Sequence, residues 1–389
     1  MSAFSLVGEV WLRPGKDDAL RRRHPWVYRG ALARPLPQSL GPVAVFSASG
    51  DYLGVGLPSS SSGSLALRMV CFAPEPWEPS TLHQRLQGAW RLRKRLRIVS
   101  EAWRLLHAEG DGVPGLVADV YGRYLVFELY EPLWELYLQL LAEVAMSLTG
   151  ARHVLLRRTY REGVEVVKGD LPREPVSVRE HRWRLLADLA AGQKTGLFLD
   201  QRDNRWLVCR NSRGTRLLNL FAYTGGFAVA ALLGGAETVL NVESSGRALA
   251  LAQQTYVANG LPVREGEFLQ GDAFTVCRRL AAKGEQFDWV VVDPPAFVKG
   301  PGQETRGLSG YRDVNLQALK LLRRGGMLLT CSCSARITVE QLEGALLAAA
   351  LDAGREVRVL ERRGAGPDHP VSLFCPETRH LKALWCAVL

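Results

Sequence analysis

The order of apolar and polar positions is most informative at residues 217–236. An apolar run at 217–221 stops at the turn Tyr223-Thr224-Gly225-Gly226, and a helical run of small apolar residues follows at 227–233. This order of strand, glycine turn and helix is typical of a nucleotide-binding α/β sheet, because glycine lets the backbone approach a ligand and the helix start offers unpaired N–H groups. The G-x-G-x-x-G spacing of the dinucleotide fingerprint is absent, and an ordinary buried βα unit would show the same local pattern.

Three more apolar runs follow at α/β spacing, and each leads into an acidic side chain. The run at 238–242 ends at Glu243, the run at 267–270 precedes Asp272, and the run at 287–292 leads into Asp293-Pro294-Pro295-Ala296-Phe297. A carboxylate just past a strand end can accept hydrogen bonds from two ribose hydroxyls. In this order, the glycine turn, the acidic positions and the D-P-P-x-F motif resemble the class I S-adenosylmethionine methyltransferases. The predicted fold class is therefore α/β, with a Rossmann-like methyltransferase domain.

Short β-runs separated by turns fill residues 1–72, which favours a small β-barrel. They lie at 8–12, 43–47, 52–56 and 66–72, with a serine loop at 59–62. Between the first two runs, basic residues stand beside aromatic ones at 21–30. Arg22 and Arg23 are candidate phosphate contacts there, and the aromatic rings are candidate stacking surfaces. A solvated charge run next to a core tryptophan explains the same segment.

Residues 73–180 are predicted to form a central α+β domain. A helix is expected over 80–107, a hairpin over 115–131, a helix over 133–148, and strands at 153–157, 176–180 and 183–187. The first helix carries many basic residues over a periodic apolar set: Arg85, Arg91, Arg93, Lys94, Arg95, Arg97 and Arg104. They form either an exposed face for RNA or the solvated side of an ordinary helix, and the density of charge favours RNA.

The segment at 193–202 reads Q-K-T-G-L-F-L-D-Q-R and leads, through a helix predicted over 201–209, into the sheet. Its polar residues could close over a cofactor, although a turn between two domains explains them nearly as well.

The last predicted strand, 327–330, ends in Cys331-Ser332-Cys333-Ser334. It follows a glycine-rich loop at 298–309, with Lys299 and Arg306, and a helix at 311–322. A cysteine at the carboxyl end of a parallel strand lies at the ligand-binding edge of the sheet. A nucleophile is useful there, because carbon-5 of cytosine attacks a methyl group only after a thiolate adds to carbon-6 and an acid protonates N3. Cys333 is the predicted nucleophile and Asp293 the predicted group at N3. A small buried hydrophobe is the alternative for Cys333.

Composition adds a class of partner and a compartment. The 389 residues carry a formal net charge of +10, with more arginine than lysine, which suggests a polyanionic partner or an arginine-rich proteome. Seven cysteines are scattered without C-x-x-C pairs, so neither a disulfide framework nor a metal site is implied. Because the sequence shows no signal-peptide pattern and no long apolar span, a cytoplasmic location is expected.

Motifs along the whole chain resemble the RlmI/RlmO family of bacterial large-subunit ribosomal RNA cytosine-C5 methyltransferases. They are H-P-W-V-Y, E-G-D-G-V-P-G-L, Q-K-T-G-L-F-L-D-Q-R, F-A-Y-T-G-G-F, D-P-P-A-F, G-Y-R-D-V-N, C-S-C-S and, at 368–371, D-H-P-V. The resemblance implies a PUA RNA-binding domain at 1–72, a central α+β domain at 73–180 and a methyltransferase domain at 181–389. It also implies S-adenosylmethionine as cofactor, S-adenosylhomocysteine as product and 23S ribosomal RNA or a large-subunit precursor as partner. A homodimer, which family members often form, is a further expectation.

The same resemblance assigns roles to single residues. The S-C-S cysteine that is the presumed nucleophile of the family matches Cys333 rather than Cys331, and Pro295-Ala296 leaves no second cysteine for product release. Lys194 and Tyr311 are further candidates for contacts to the base or RNA, and His369 has no assigned role. The expected cofactor contacts are Phe198, Asp200, Gln201, Arg202, Phe221, Tyr223, Thr224, Gly225, Phe227, Glu243, Asp272, Ala273, Asp293 and Pro294.

The predicted activity is S-adenosylmethionine-dependent formation of 5-methylcytidine in 23S ribosomal RNA through a cysteine adduct at carbon-6. Two alternatives are open at this point. An exocyclic-amine methyltransferase, N2-guanine for example, has the similar N/D-P-P-Y/F motif and needs no cysteine. A ribosome-assembly factor with a vestigial cofactor fold would bind RNA without methyl transfer, although the intact acidic and glycine motifs argue against it.

Overall fold

A computed structural model describes residues 3–37, 40–59, 63–298, 300 and 302–389. The chain forms two compact units. The first contains Met1–Glu174, Asp188–Gly196 and Pro367–Thr378, and the second contains Pro175–Ala187, Leu197–Gly366 and Arg379–Leu389. Lys299 and residues 60–62, which the sequence predicts to lie in loops, are outside the described residues. Among the described helices, none is long and apolar enough to cross a membrane.

The first unit begins with a five-stranded sheet in the order β1-β3-β4-β5-β2. Its elements are β1 (Gly8–Trp11), α1 (Asp18–Arg21), β2 (Trp26–Tyr28), β3 (Val43–Phe46), β4 (Tyr52–Pro58) and β5 (Leu65–Phe72). Alternate side chains point to one face of each strand, so that Val43, Val45, Leu67 and Met69 share a buried core. All four β-runs predicted for this region are strands.

A second five-stranded sheet of the same unit has the order β10-β9-β8-β7-β6. Its elements are α2 (Pro79–Arg95), β6 (Ala102–His107), β7 (Leu116–Tyr121), β8 (Tyr124–Leu129), α3 (Leu138–Thr149), β9 (His153–Arg158) and β10 (Arg161–Lys168). The helix predicted over 80–107 is wrong beyond Arg95. Arg97 has a positive φ of 48°, which a right-handed helix excludes, and the following residues pair with β7 instead.

Two residues of the predicted basic face are structural cations, of which Arg93 is buried and Arg104 is partly buried. Arg93 Nη2 donates to Asp111 Oδ2 at 2.7 Å, and Arg104 Nε donates to Asp119 Oδ1 at 2.8 Å. A buried guanidinium is tolerated only when it is paired in this way. The exposed basic residues of the segment are Arg91, Lys94, Arg95 and Arg97.

The second unit holds a separate hairpin, in which β11 (Val176–Glu180) pairs antiparallel with β12 (Trp183–Ala187). Its other elements are α4 (Arg202–Asn211), β13 (Arg216–Leu220), α5 (Gly226–Leu233), β14 (Thr238–Glu243), α6 (Gly246–Ala258), β15 (Phe268–Gln270), α7 (Ala273–Ala282), β16 (Phe287–Val292), α8 (Glu304–Leu321), β17 (Leu322–Ser332), α9 (Val339–Ala353), β18 (Val357–Arg363) and β19 (Lys382–Val388). Residue 180, where the sequence predicts a domain boundary, lies inside the hairpin. The two hairpin strands belong to the second unit rather than to the central domain in which they were expected.

The second unit is organised by a seven-stranded sheet in the order β15-β14-β13-β16-β17-β19-β18. Neighbours from β15 to β17 are parallel, whereas β19 runs antiparallel to β17 and β18. The strand order reverses at β13, with β14 on one side and β16 on the other. In open α/β sheets, ligands bind at the carboxyl ends of the strands beside such a reversal. The polar residues after β13, β14, β16 and β17 therefore meet at one edge.

Candidate active site

The turn after β13 has a left-handed backbone at three positions. Phe221, Tyr223 and Gly225 have φ values of 58°, 47° and 76°, and α5 begins at the next residue, Gly226. For Phe221 and Tyr223 this conformation costs on the order of 1–3 kcal/mol each, and such strain concentrates at ligand sites. A Cβ on Gly225 would lie 3.1 Å from Ala252 Cβ, which is a close contact. The turn leads directly into the N-terminus of α5, whose N–H groups are suited to a polar ligand.

The carboxylate of Glu243 is anchored at the end of β14. Its Oε2 accepts the backbone N–H of Tyr223 at 2.9 Å, and its Oε1 accepts the backbone N–H of Ser245 at 2.8 Å. The hydroxyl of Ser244 donates to the same Oε1 at 3.2 Å. Because an ionised carboxylate has about four acceptor positions, capacity for a ribose hydroxyl remains. The anchoring ties the acidic position to the glycine turn, as the predicted cofactor site requires.

The segment at 198–202 lies against the glycine turn. The Phe198 and Tyr223 rings meet edge to face, with centroids 5.1 Å apart. Gln201 is buried and accepts a hydrogen bond from Asn204 Nδ2 on its Oε1 at 2.6 Å. Its buried Nε2 forms no well-aligned hydrogen bond with the described residues, although the amide lies near enough to the Asp293 carboxyl to lower the pKa of that group. An unsatisfied buried donor at the strand edge is a candidate ligand contact.

Four other predicted cofactor residues are buried, and a fifth caps a helix. Arg202, Thr224, Phe227 and Ala273 are buried. Asp272 Oδ1 accepts the backbone N–H of Thr275 at 2.9 Å and so caps the N-terminus of α7. This bond explains Asp272 structurally and uses one of its two carboxylate oxygens.

Arg205, a residue that the sequence analysis missed, holds the 198–202 segment in place. Its Nη1 donates to the carbonyl oxygen of Phe198 at 2.9 Å, while its Nε and Nη2 form a bidentate pair with buried Glu180 at 2.7 and 2.6 Å. Because Glu180 lies on β11, no spacing in the sequence indicates the pair. The ion pair connects the hairpin to the helix that follows the cofactor segment.

Asp293 follows β16 at the centre of the edge. Burial raises the pKa of its carboxyl to about 7, and the nearby charge of Asp200 contributes to the rise, while Gln201 and Arg205 oppose it. A carboxyl group with this pKa is protonated in a large fraction of molecules at neutral pH. It can therefore act as a hydrogen-bond donor or as an acid.

The two cysteines after the D-P-P motif differ in access. Cys331 lies within β17 and is completely buried, and burial raises the pKa of its thiol well above the usual range. Cys333 follows the strand, is partly exposed, and places its Sγ 3.8 Å from the carbonyl oxygen of Pro294. Of the two cysteines, Cys333 is the one that combines access to solvent with a contact to the D-P-P segment.

Tyr311 corrects a predicted contact to RNA. Its side chain is completely buried, and its hydroxyl lies 2.9 Å from both Ser332 Oγ and Ser334 Oγ. A ring in this position cannot reach a nucleobase at the surface. It supports the turn that carries Cys333 instead.

Two further residues at the edge lie beyond the last predicted strand. His380 Nε2 lies 2.8 Å from Asp200 Oδ2, and Lys382 Nζ donates to the carbonyl oxygen of Ser334 at 2.6 Å. A single polar residue at the start of an apolar run, as in K-A-L-W-C-A-V, is the signal that could have indicated Lys382.

The remaining predicted RNA contacts lie in the first unit. Lys194 is exposed and lines a groove of about 530 Å³ that also includes Arg157, Tyr160 and Arg161. Arg22 and Arg23 are exposed as predicted. Other members of their segment are occupied: Arg21 pairs with Asp17 and Asp51, and Trp26 Nε1 donates to Glu109 at 2.8 Å.

One group in the first unit has the composition of a metal site. Ligand atoms of His24, Cys375 and Glu377 lie within 4.8 Å of one another. His24 Nδ1 accepts the backbone N–H of Trp26 at 3.3 Å, so in the neutral ring Nε2 carries the proton and faces Glu377 Oε2 at 3.3 Å. If a metal bound Nε2 of the neutral ring, the proton would move to Nδ1, where it would face the backbone N–H of Trp26. The group is therefore better explained by hydrogen bonding.

His369 has a structural environment in the same unit. It is buried, its Nδ1 lies 3.1 Å from Asp368 Oδ1, and its ring contacts His107 edge to face at 5.1 Å between centroids. Asp368 Oδ2 in turn accepts the backbone N–H of Arg104 at 3.0 Å. These contacts fix the D-H-P-V motif within the first unit.

Comparison with known proteins agrees with this geometry. Residues 118–380 match the family described as S-adenosylmethionine-dependent methyltransferases, and residues 10–70 match the PUA-like domain. The chain belongs to the S-adenosylmethionine-dependent methyltransferases. It is similar to Ribosomal RNA large subunit methyltransferase I of Escherichia coli K12, with 37% identity over 97% of this chain and 98% of the relative. The protein of the same name from Erwinia tasmaniensis has the same identity and coverage. At this identity and coverage, the chain belongs to the same family as these two relatives.

Two solved structures share the fold. One is a SAM-dependent methyltransferase from Streptococcus mutans, with a TM-score of 0.86, 20% identity, and coverage of 98% of this chain and 100% of that chain. The other is the methyltransferase SMU.776 in complex with S-adenosylhomocysteine, with a TM-score of 0.88 and the same identity and coverage. The likeness extends over both units of the chain.

The residues at the sheet edge fit S-adenosylmethionine. The buried, unsatisfied Nε2 of Gln201 and the remaining acceptor capacity of Glu243 can each bind a polar group of the cofactor. The left-handed turn at 221–225 brings backbone close to that space. When bound, the cofactor supplies an electrophilic methyl group, and the surrounding side chains must orient the acceptor.

Proposed function

We propose that this ribosomal RNA methyltransferase forms 5-methylcytidine, with Cys333 as the nucleophile and Asp293 as the acid at N3 of the base. One observation carries the proposal: the partly exposed Sγ of Cys333 lies 3.8 Å from the carbonyl oxygen of Pro294, next to Asp293. A thiol and a carboxylic acid that both lie at the cofactor edge suit a pyrimidine, because carbon-6 and N3 are on opposite sides of the ring and need two separate groups.

The chemistry balances with these two groups. The Cys333 thiolate forms a bond to carbon-6 while the Asp293 carboxyl gives its proton to N3, which turns the ring into an enamine with a nucleophilic carbon-5. Carbon-5 then takes the methyl group, and its own proton leaves to a base. The electron pair of that C–H bond reforms the C5–C6 double bond and expels the thiolate, and N3 returns its proton to Asp293.

Asp293 suits the acid role because of its environment. A carboxyl group of ordinary pKa would be ionised at neutral pH, whereas burial and the charge of Asp200 raise the pKa of Asp293 to about 7. An acid whose pKa lies near the working pH transfers protons efficiently in both directions. The same group can therefore protonate N3 and later recover the proton.

RNA binding is assigned in this proposal to a PUA domain at 1–72 and a central domain at 73–180, of which residues 175–180 belong to the second unit and the rest to the first. Arg22, Arg23 and Lys194 are the proposed phosphate contacts, since all three are exposed cations. The target base would leave its stack to reach Cys333, as enzymes acting on bases generally require. The further proposals of a 23S substrate and a homodimer rest on the family resemblance, and the proposal of a cytoplasmic location rests on the lack of a long apolar span in the sequence.

The test is methyl transfer from labelled S-adenosylmethionine to unmodified 23S ribosomal RNA, with identification of the product nucleoside. We expect 5-methylcytidine with the wild type and with Cys331→Ala, which is the matched control in the same strand, and none with Cys333→Ala. If Cys333→Ala remains active, or if the product nucleoside is a methylated guanosine, the thiol mechanism is wrong and methylation of an exocyclic amine is favoured. RNA binding without any product would favour the assembly-factor alternative.

A further inference from the structure

A buried amine lies directly beneath the turn that carries Cys333. Lys382 is the first residue of β19, pairs with Ser332 of β17 in the sheet register, and is 4% exposed. Its Nζ donates to the carbonyl oxygen of Ser334 at 2.6 Å and to that of His380 at 3.0 Å. Within the described part of the chain, no carboxylate lies at ion-pair distance from it. A buried ammonium held only by carbonyl oxygens is costly unless a negative charge lies nearby.

The ionised form of Cys333 provides such a charge. The thiolate raises the pKa of Lys382, and by reciprocity the ammonium favours the thiolate, because one interaction acts on both groups. The other titratable groups around the Cys333 thiol either disfavour its thiolate or carry no charge that would stabilise it. Tyr311 of α8 and Cys331 of β17 are neutral at pH 7, and Asp293 after β16, with Asp200 behind it, adds negative charge.

We propose that Lys382 is a positioning residue whose ammonium stabilises the Cys333 thiolate and, through the carbonyl of Ser334, fixes the turn that presents it. This inference rests on the proposed role of Cys333 as nucleophile, but the acidity of the thiol can be measured without any methyl transfer. Burial lowers the pKa of Lys382 to about 8, so the stabilising charge is present at neutral pH and is lost as the pH rises through that value.

The experiment measures the rate at which iodoacetamide alkylates Cys333 between pH 5 and 10. The full-length protein carries Cys331→Ala, so that modification of the peptide detected by mass spectrometry reports Cys333 alone. Lys382→Met removes the charge and the hydrogen bonds, Lys382→Gln removes the charge and keeps a donor, and Lys382→Arg keeps the charge. Lys320→Met, an exposed lysine of α8, is the matched control.

We expect Lys382→Met and Lys382→Gln to move the alkylation midpoint upward by about one pH unit, which is about a tenfold slower rate at pH 7. Lys382→Arg should stay within about threefold of the parent, and Lys320→Met should not change. An unchanged midpoint in a Lys382→Gln protein that still binds S-adenosylhomocysteine overturns the inference, whether or not Lys382→Met folds. If the midpoint shifts but the wild-type enzyme makes no 5-methylcytidine, Lys382 still acidifies Cys333. In that case the proposed cytosine-C5 reaction is wrong.

Discussion

His380 Nε2 lies 2.8 Å from Asp200 Oδ2, although the two residues are 180 positions apart in the chain. The bond holds Asp200 at the edge of the sheet, where its charge is one cause of the raised pKa of Asp293. The residues just before β19 and the segment before the first strand of the large sheet therefore act together on the acid that we assign to N3.

Asp200→Asn should move the pH profile of methyl transfer to lower pH. Because the charge of Asp200 raises the pKa of Asp293, its removal lowers that pKa, and the protonated acid is then lost at lower pH. In the wild type, activity at saturating cofactor should fall as the pH rises above about 7. The measurement is the rate at saturation between pH 5.5 and 9, with cofactor affinity determined separately. An unshifted basic limb in a variant that still binds cofactor would exclude Asp293 as the titrating acid.

RNA that contains 5-fluorocytidine at the target position should trap the enzyme. Fluorine replaces the carbon-5 proton whose loss expels the thiolate, so the adduct persists after the methyl group is taken up. We expect a complex that survives denaturing electrophoresis with the wild type and Cys331→Ala, and none with Cys333→Ala. A trapped complex with Cys333→Ala would show that another nucleophile attacks the base.

Gly225→Ala should weaken cofactor binding more than it weakens the fold. At a φ of 76° the methyl group costs about 1–2 kcal/mol and also approaches Ala252, so the glycine turn must shift. Gly214→Ala is the control, because Gly214 has a φ of 69° but open space around its added Cβ. Titration calorimetry with S-adenosylhomocysteine should show about a tenfold loss of affinity for the first variant only. Equal affinities would place the cofactor away from this turn.

Arg205→Met should destabilise the second unit by about 3–5 kcal/mol, because it leaves buried Glu180 without a partner. Adding Glu180→Leu should recover much of that loss, since no buried charge then remains. The measurement is urea unfolding, with Arg210→Met on the exposed side of the same helix as the control. A loss in the Arg210 variant equal to that of Arg205→Met would mean that helix propensity, and not the ion pair, is responsible.

Arg22→Ala combined with Arg23→Ala should weaken RNA binding and its dependence on salt. Each lost phosphate contact reduces the slope of log affinity against log salt by about one. Arg264→Ala removes an exposed arginine of the second unit and should leave the slope unchanged. The measurement is filter binding to a ribosomal RNA fragment at several salt concentrations. An unaltered slope in the double variant would indicate that RNA binds instead at the groove beside Lys194 or at the exposed face of α2.

Where patterns are local, the sequence predicted structure well. The strand, glycine turn and helix at 216–233 depend on neighbours within a few residues, and the parallel strands that follow are continuous apolar runs. Prediction was wrong where the partner is distant in the chain. Arg93 and Arg104 have the spacing of a solvated basic face, yet they form ion pairs with Asp111 and Asp119. Tyr311, expected at the RNA, is buried against two serines at the end of β17.

By itself, the sequence determined the class of the protein and the candidate chemistry, because the D-P-P motif, the glycine turn and the cysteines are defined by residue type and short spacing. Tertiary structure decided how accessible those groups are and which charges surround them. It buried Cys331 inside β17 and left Cys333 accessible, raised the pKa of Asp293 through burial and Asp200, and brought Lys382 from the last strand beneath the Cys333 turn. The reason is physical: access to solvent and the local electric field depend on side chains that pack together from remote parts of the chain, and no local pattern records them.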